Sequence, residues 1–156
     1  MPLKLSRILW PTDFSELSLN GGRYARALAK AFNAELHVIH VARPIVVADY
    51  SVMLPAAVSP PGSEQELLDG SRQGLARLVE EQFAELPNVR QDAAIGVPWS
   101  GICDYAAKHE IELIVLATHG RTGLKHVLIG STAERVVQHA PCPVLTVKSD
   151  EQGFVE

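Results

Sequence analysis

The chain has 156 residues, 47% hydrophobic and 21% charged, the composition of an ordinary globular domain large enough for a real core. Its net charge is −4 and it has no Lys/Arg run, which argues against a nucleic-acid or anionic-membrane partner.

The opening residues, Met1-Pro2-Leu3-Lys4-Leu5-Ser6-Arg7, lack a signal-peptide core, and no apolar run reaches bilayer length, so the expected location is the cytoplasm. Arg7-Ile8-Leu9-Trp10 predicts a short strand ended by Pro11, with Asp13-Phe14-Ser15 as turn and helix entry. Asp13 and Glu16 have the spacing of a helix cap and its partner, and Ser15 with Ser18 is a weaker version of the same pattern. The helix runs to about Phe32 with Leu17, Tyr24, Leu28 and Phe32 on its core face. Gly21-Gly22 interrupts it and points to close packing on a sheet. Asn33-Ala34 turns the chain into a second strand, Glu35 to Val41, and strand–helix–strand at this spacing signals a parallel sheet.

From Ala42 to Gly62 the pattern breaks. Pro44, Pro55, Pro60 and Pro61 preclude a helix, yet Ile45, Val46, Val47, Val52, Met53 and Leu54 are too apolar for a linker. Two roles fit: a flap over the sheet's C-terminal edge, or a surface that packs on a partner subunit. Ser63-Glu64-Gln65-Glu66 is a capping box opening a helix to about Leu86, with Leu67, Leu68, Leu75, Leu78, Val79 and Phe83 inward. Val89 to Ile95 is a more polar strand, expected at an edge. Gly96-Val97-Pro98 leads to a helix from Ser100 to Lys108 that turns Ile102, Tyr105 and Ala106 inward. Cys103 and Cys142 are isolated, without CxxC spacing, which suits buried thiols in a reducing compartment.

Leu113 to Ala117 is an apolar run that reads as a strand buried on both faces. A loop follows with glycines at 120, 123 and 130 and cations at Arg121 and Lys125. Ser131 and Glu134 then have capping-box spacing and predict a helix from Thr132 to His139. A strand, a glycine-punctuated loop and a helix N-terminus offer backbone N–H groups and a positive dipole end to a phosphate. The competing reading is a plain connection whose glycines only turn the chain. Neither a Walker loop nor Gly-x-Gly-x-x-Gly after a strand is present. Pro141-Cys142-Pro143 ends the helix and begins the last strand, Val144 to Val147; 149–156 reads as a tail. Five strands and four helices thus alternate in one domain spanning 1–156, an α/β class with an open parallel sheet covered by helices on both faces.

The loop resembles the nucleotide loop of the universal stress protein family: a small residue, two residues, Gly, nine residues, then Gly-Ser/Thr. Those positions are Ala117, Gly120, Gly130 and Ser131, with alanine where the family's ATP-binding branch usually has glycine. Pro11-Thr12-Asp13-Phe14-Ser15 resembles the family's first-strand motif, and His40-Val41 the end of its second strand. Gly96-Val97-Pro98 and Ala140-Pro141-Cys142-Pro143-Val144 extend the likeness from Ile8 to Val147, most weakly over 42–62. The resemblance implies a Rossmann-like sheet of order 3-2-1-4-5 and an ATP site across its first and fourth strands. Pro11 and Thr12 would line it, and Asp13 would hold the ribose. Backbone groups of Val41 and Leu116 would flank adenine, with Ala117 beside them. N–H groups of Gly120, Gly130, Ser131 and Thr132 would cradle the phosphates, and Arg121 or Lys125 would offset charge. Magnesium would bridge the phosphates, held mostly by water. By local sequence alone, Asp13 serves equally well as a helix cap.

A helix dipole supplies at most about 1–2 kcal/mol, whereas micromolar binding needs about 8. Adenine burial and several N–H groups therefore have to supply most of the affinity. The histidines, at 37, 40, 109, 119, 126 and 139, show no His-x-x-x-His on a helix, and no cysteine has zinc-ligand spacing. No Gly-x-Ser-x-Gly is present, so the expectation is no dedicated catalytic machinery and at most slow ATP turnover. The resemblance also implies a homodimer paired through strand 144–147. Two other classes stay open: a dimeric interaction protein of the same fold that binds no nucleotide, and a slow ATP hydrolase. The client protein is not legible.

Overall fold

The computed structural model describes residues 1–44, 63–119, 129–149 and 153–155. In chain order the elements are β1 (Arg7–Pro11), α1 (Glu16–Phe32), β2 (Glu35–Ala42), α2 (Glu64–Phe83), β3 (Val89–Ile95), α3 (Pro98–Lys108), β4 (Leu113–Ala117), α4 (Ser131–His139) and β5 (Val144–Val147). The five strands form one sheet of order β3-β2-β1-β4-β5, and every pairing is parallel. This is the expected order, with the polar β3 at one edge and β5 at the other.

Strand side chains alternate between faces, and this sorts the core into two layers. Ile8, Trp10, Leu36, Val38 and Val115 pack under α1 and α2 with Ala25, Ala29, Leu75 and Phe83. Leu9, Ile39, Ile114 and Leu116 face the other way, against Ile102 and Ala106 of α3 and Ala133 and Val136 of α4. A strand enclosed on both faces cannot alternate polar with apolar, so β1 and β4 read as continuous apolar runs.

Four local expectations need correction. α1 is capped by Ser15, whose side chain accepts the Ser18 N–H, and not by Asp13. Its most buried face is Ser18, Gly21, Gly22, Ala25 and Ala29; the large residues expected there lie partly exposed beside it. The helix presses so close to the sheet that only small residues fit. A β-carbon on Gly21 would lie 3.0 Å from the Ala117 nitrogen, and one on Gly22 2.8 Å from Cζ2 of Trp10. α2 begins at the Ser63 cap as expected but ends at Phe83, three residues short of Leu86. α4 is capped by Gly130, with Ser131 its first helical residue and no side-chain cap; the Ser131–Glu134 capping box does not form.

One polar cluster sits inside this frame. His37, 1% exposed, has Nδ1 2.8 Å from the Tyr105 hydroxyl and Nε2 2.7 Å from Oε1 of Glu35. With Nε2–H facing the carboxylate, the tyrosine hydroxyl donates to Nδ1. Burial pushes the His37 pKa below its ordinary 6.5, outweighing the Glu35 carboxylate that raises it; His109 and Arg90 lower it further. A lowered folded-state pKa means the unfolded chain binds the proton more readily. Stability contributed by neutral His37 is therefore present above pH 6.5 and is lost as pH falls from there toward the folded-state value. The urea midpoint of wild type is expected to drop between pH 7.5 and 5 by more than that of His37→Gln. Equal drops would show that His37 does not carry the dependence.

Candidate functional site

The sheet changes winding direction between β1 and β4. After β1 the chain passes to α1 on one face; the helix after β4, α4, lies on the other. Open parallel sheets form a crevice at the C-terminal strand ends at such a point.

One wall is the turn Pro11-Thr12-Asp13. The Thr12 N–H donates to the Ile39 carbonyl at 2.9 Å, tying the turn to β2. Thr12 is buried, and its Oγ1 accepts the Phe14 N–H at 3.0 Å and lies 2.9 Å from the Ser18 hydroxyl. Because Ser18 Oγ donates to the Ser15 carbonyl, the Thr12 hydroxyl is the donor between the two. Oδ1 of Asp13 accepts from the Ser15 N–H at 3.0 Å and the Ser15 hydroxyl at 2.5 Å. Phe14 completes the turn at φ 65°, a left-handed conformation that costs a bulky residue about 1–3 kcal/mol. The hydrogen bonds of Thr12, Ser15 and Ser18 hold it there.

The other wall is the end of β4 and the start of α4. The Thr118 N–H donates to Val147 at 3.0 Å, and the Gly130 N–H donates to the Thr118 carbonyl at 2.5 Å. That second bond pins the α4 N-terminus to the end of β4. A β-carbon on Gly130 would lie 3.0 Å from the same carbonyl oxygen, so the two segments meet at backbone distance. The Gly130 N–H, expected to face phosphates, is thus engaged within the protein; Ser131 and Thr132 carry the next N–H groups of that turn.

The remaining expected residues fall as follows. Leu116 is buried in the α3–α4 layer. Val41 is half-buried at the end of β2, against Gly101 of α3, where a β-carbon would lie 2.9 Å from its Cγ1. Ala117 shares the α1 face with Leu113 and Val115 by strand alternation, opposite Gly21. Pro11, Thr12, Asp13, Leu116, Ala117 and Gly130 therefore converge at one end of the sheet. Gly120 and Arg121, with Lys125 and His126, lie outside the described residues. Two residues in contact at this turn, His40 and Phe14, were given no role by the sequence. His40 is 9% exposed, its Nδ1–H donates to the Thr12 carbonyl at 2.8 Å, and its ring packs on Phe14 at 4.6 Å between centroids. The available signal was a second imidazole, two residues from the end of β2, a strand that also carries Glu35 and His37. Among the described residues no group of three or more His, Cys, Asp or Glu is placed to hold a metal, and no helix is long and apolar enough to cross a membrane.

A sequence model of the universal stress protein family matches residues 4–148. The chain belongs to the universal stress protein family. One relative, a universal stress protein of Methanocaldococcus jannaschii, is 37% identical over 150 residues, 94% of this chain and 84% of that protein. The solved structure of universal stress protein UspA from Lactobacillus plantarum is 28% identical, covers 94% of this chain and 99% of its own, and superposes with a TM-score of 0.73. Two more distant members share the fold. One, solved in complex with cAMP, is 19% identical with a TM-score of 0.64, covering 94% of this chain and 99% of its own. The other, from Archaeoglobus fulgidus in complex with dAMP, is 17% identical with a TM-score of 0.63, covering 94% of this chain and all of its own (100%).

Proposed function

We propose that this chain is an ATP-binding universal stress protein, a cytoplasmic homodimeric module whose regulatory state depends on the nucleotide. The observation that carries the reading is the pair of anchored walls. The Asp13 turn and the α4 N-terminus are each fixed by a backbone hydrogen bond, Thr12 to Ile39 and Gly130 to Thr118, on either side of the winding reversal. Two family members bind adenine nucleotides, cAMP and dAMP, which supports a nucleotide of that class here. Asp13 would take the ribose, the backbone of Val41 and Leu116 the adenine, and the Ser131 and Thr132 N–H groups the phosphates, with Gly120 and Arg121, outside the described residues, as further candidates. Magnesium, when bound, neutralises phosphate charge through a mostly aqueous coordination sphere. Pairing of Val144–Val147 between two subunits would cover the β5 edge.

Ala117 favours the second reading, a dimeric interaction protein without nucleotide, if its methyl crowds the crevice. Its place on the α1 face, beside a glycine, argues for the first. Titration calorimetry with ATP and magnesium separates them. Wild type is expected to bind with micromolar affinity, and Ala117→Gly to differ by less than about threefold, well under 1 kcal/mol. No heat and no thermal shift at millimolar ATP would remove the ligand assignment, and binding gained only by Ala117→Gly would establish the second reading.

A further inference from the structure

We propose that His40 is a positioning residue for the nucleotide site and that, through Phe14, it ties occupancy of that site to α2; the inference rests on the nucleotide reading above.

The contacts run in an unbroken series. His40 donates from Nδ1 to the Thr12 carbonyl at 2.8 Å, the peptide unit that leads directly into Asp13. Its ring packs on Phe14 with centroids 4.6 Å apart and planes inclined by 45°. Phe14 sits at φ 65°, its N–H held by Thr12 Oγ1 at 3.0 Å. The same ring also lies against Gly74, at the middle of α2, where a β-carbon would stand 3.1 Å from Cζ and 3.2 Å from Cε1 of Phe14. The aromatic ring therefore lies against both the end of β2 and a helix of 20 residues, Glu64–Phe83.

A bulky residue in the left-handed region keeps that conformation only while its surroundings impose it. Here the imposition comes from three sides: Thr12 by hydrogen bond, His40 by ring contact and α2 by close approach. A ligand that pulls on the Asp13 turn shifts the Thr12–Phe14 backbone, and Phe14 has no slack to absorb the shift without moving against Gly74. Packed interiors transmit such displacements because they are incompressible. His40 thus has two tasks: its N–H fixes the turn that presents Asp13, and its ring completes the seat of Phe14.

The test separates those tasks. His40→Phe keeps a ring against Phe14 and removes the donor. His40→Asn keeps a side-chain N–H near the position of Nδ1 and removes the ring. ATP affinity is measured by calorimetry, ligand-free melting reports folding, and hydrogen–deuterium exchange follows α2 with and without ATP. Wild type is expected to show slower α2 exchange when ATP is bound. His40→Phe is expected to fold, to bind about tenfold more weakly, the scale of one hydrogen bond, and to be substantially rescued by His40→Asn. The asparagine variant is expected to lose the change at α2 because the Phe14 seat is open. Wild-type-like affinity in His40→Phe would overturn the positioning role, and unchanged α2 exchange in ATP-bound wild type would overturn the coupling. Failure of wild type to bind ATP at all would overturn both together with the nucleotide reading, and is recognised by the absence of heat in the first titration.

Discussion

Trp10→Ala is expected to lower stability by about 3–5 kcal/mol, the range for removing a fully buried aromatic side chain. At roughly 2–4 °C per kcal/mol for a domain of this size, the melting temperature should fall by about 6–20 °C. Trp10 has no exposed surface, and its ring packs against Phe83 of α2 at 5.3 Å between centroids. Its indole N–H donates to the Ser18 carbonyl at 3.2 Å, so one side chain fastens both α1 and α2 to the central strand. Gly22 lies against the same ring, so the helix position directly over it has no side chain to offer to the void. Thermal and urea unfolding read the effect. A loss under about 1 kcal/mol would mean that the site collapses, and that the close seat of α1 is not held by this residue.

Gly130→Val is expected to weaken ATP binding by on the order of 10- to 100-fold while leaving the fold intact. The backbone of Gly130, φ −71° and ψ 158°, is one any residue adopts, so valine brings no conformational strain. The conflict is steric. A β-carbon there would sit 3.0 Å from the Thr118 carbonyl oxygen, and two further methyls would force the start of α4 away from the end of β4. Overpacking of this kind costs about 1–3 kcal/mol, and a displaced helix start misdirects the Ser131 and Thr132 N–H groups. Calorimetry on the variant, with its melting curve as control, decides. Wild-type affinity would show that the α4 terminus does not define the phosphate end of the crevice.

The layered sheet was legible because both of its signals are local. Apolar runs of strand length alternate with amphipathic stretches, and β3, β4 and β5 begin and end where their composition changes. Strand order was not local: the alternation fits several windings, and only the family likeness selected 3-2-1-4-5. Helix starts were half legible. Ser63 caps α2 as its spacing says, whereas at α1 and α4 neighbouring residues competed and backbone geometry decided for Ser15 and Gly130. The Gly21-Gly22 pair announced close approach without naming the partner, because Ala117 and Trp10 are brought there by tertiary packing. The same holds for the site. Asp13 and the glycine loop are candidates through motif spacing, whereas the contacts of Phe14 with His40 and with Gly74 are made only when β2, the Asp13 turn and α2 are assembled.

β1 pairs with β2 at Arg7↔Glu35 and with β4 at Ile8↔Leu113. The first union closes after a short stretch of synthesis, the second only when most of the polypeptide has left the ribosome. Until then the innermost strand has one flank bare, with unsatisfied amide and carbonyl groups that invite pairing with another nascent chain. The crevice is correspondingly a late product: neither wall faces the other before β4 takes its place. Truncations ending ahead of residue 113 should for that reason aggregate, instead of accumulating as a compact half-domain.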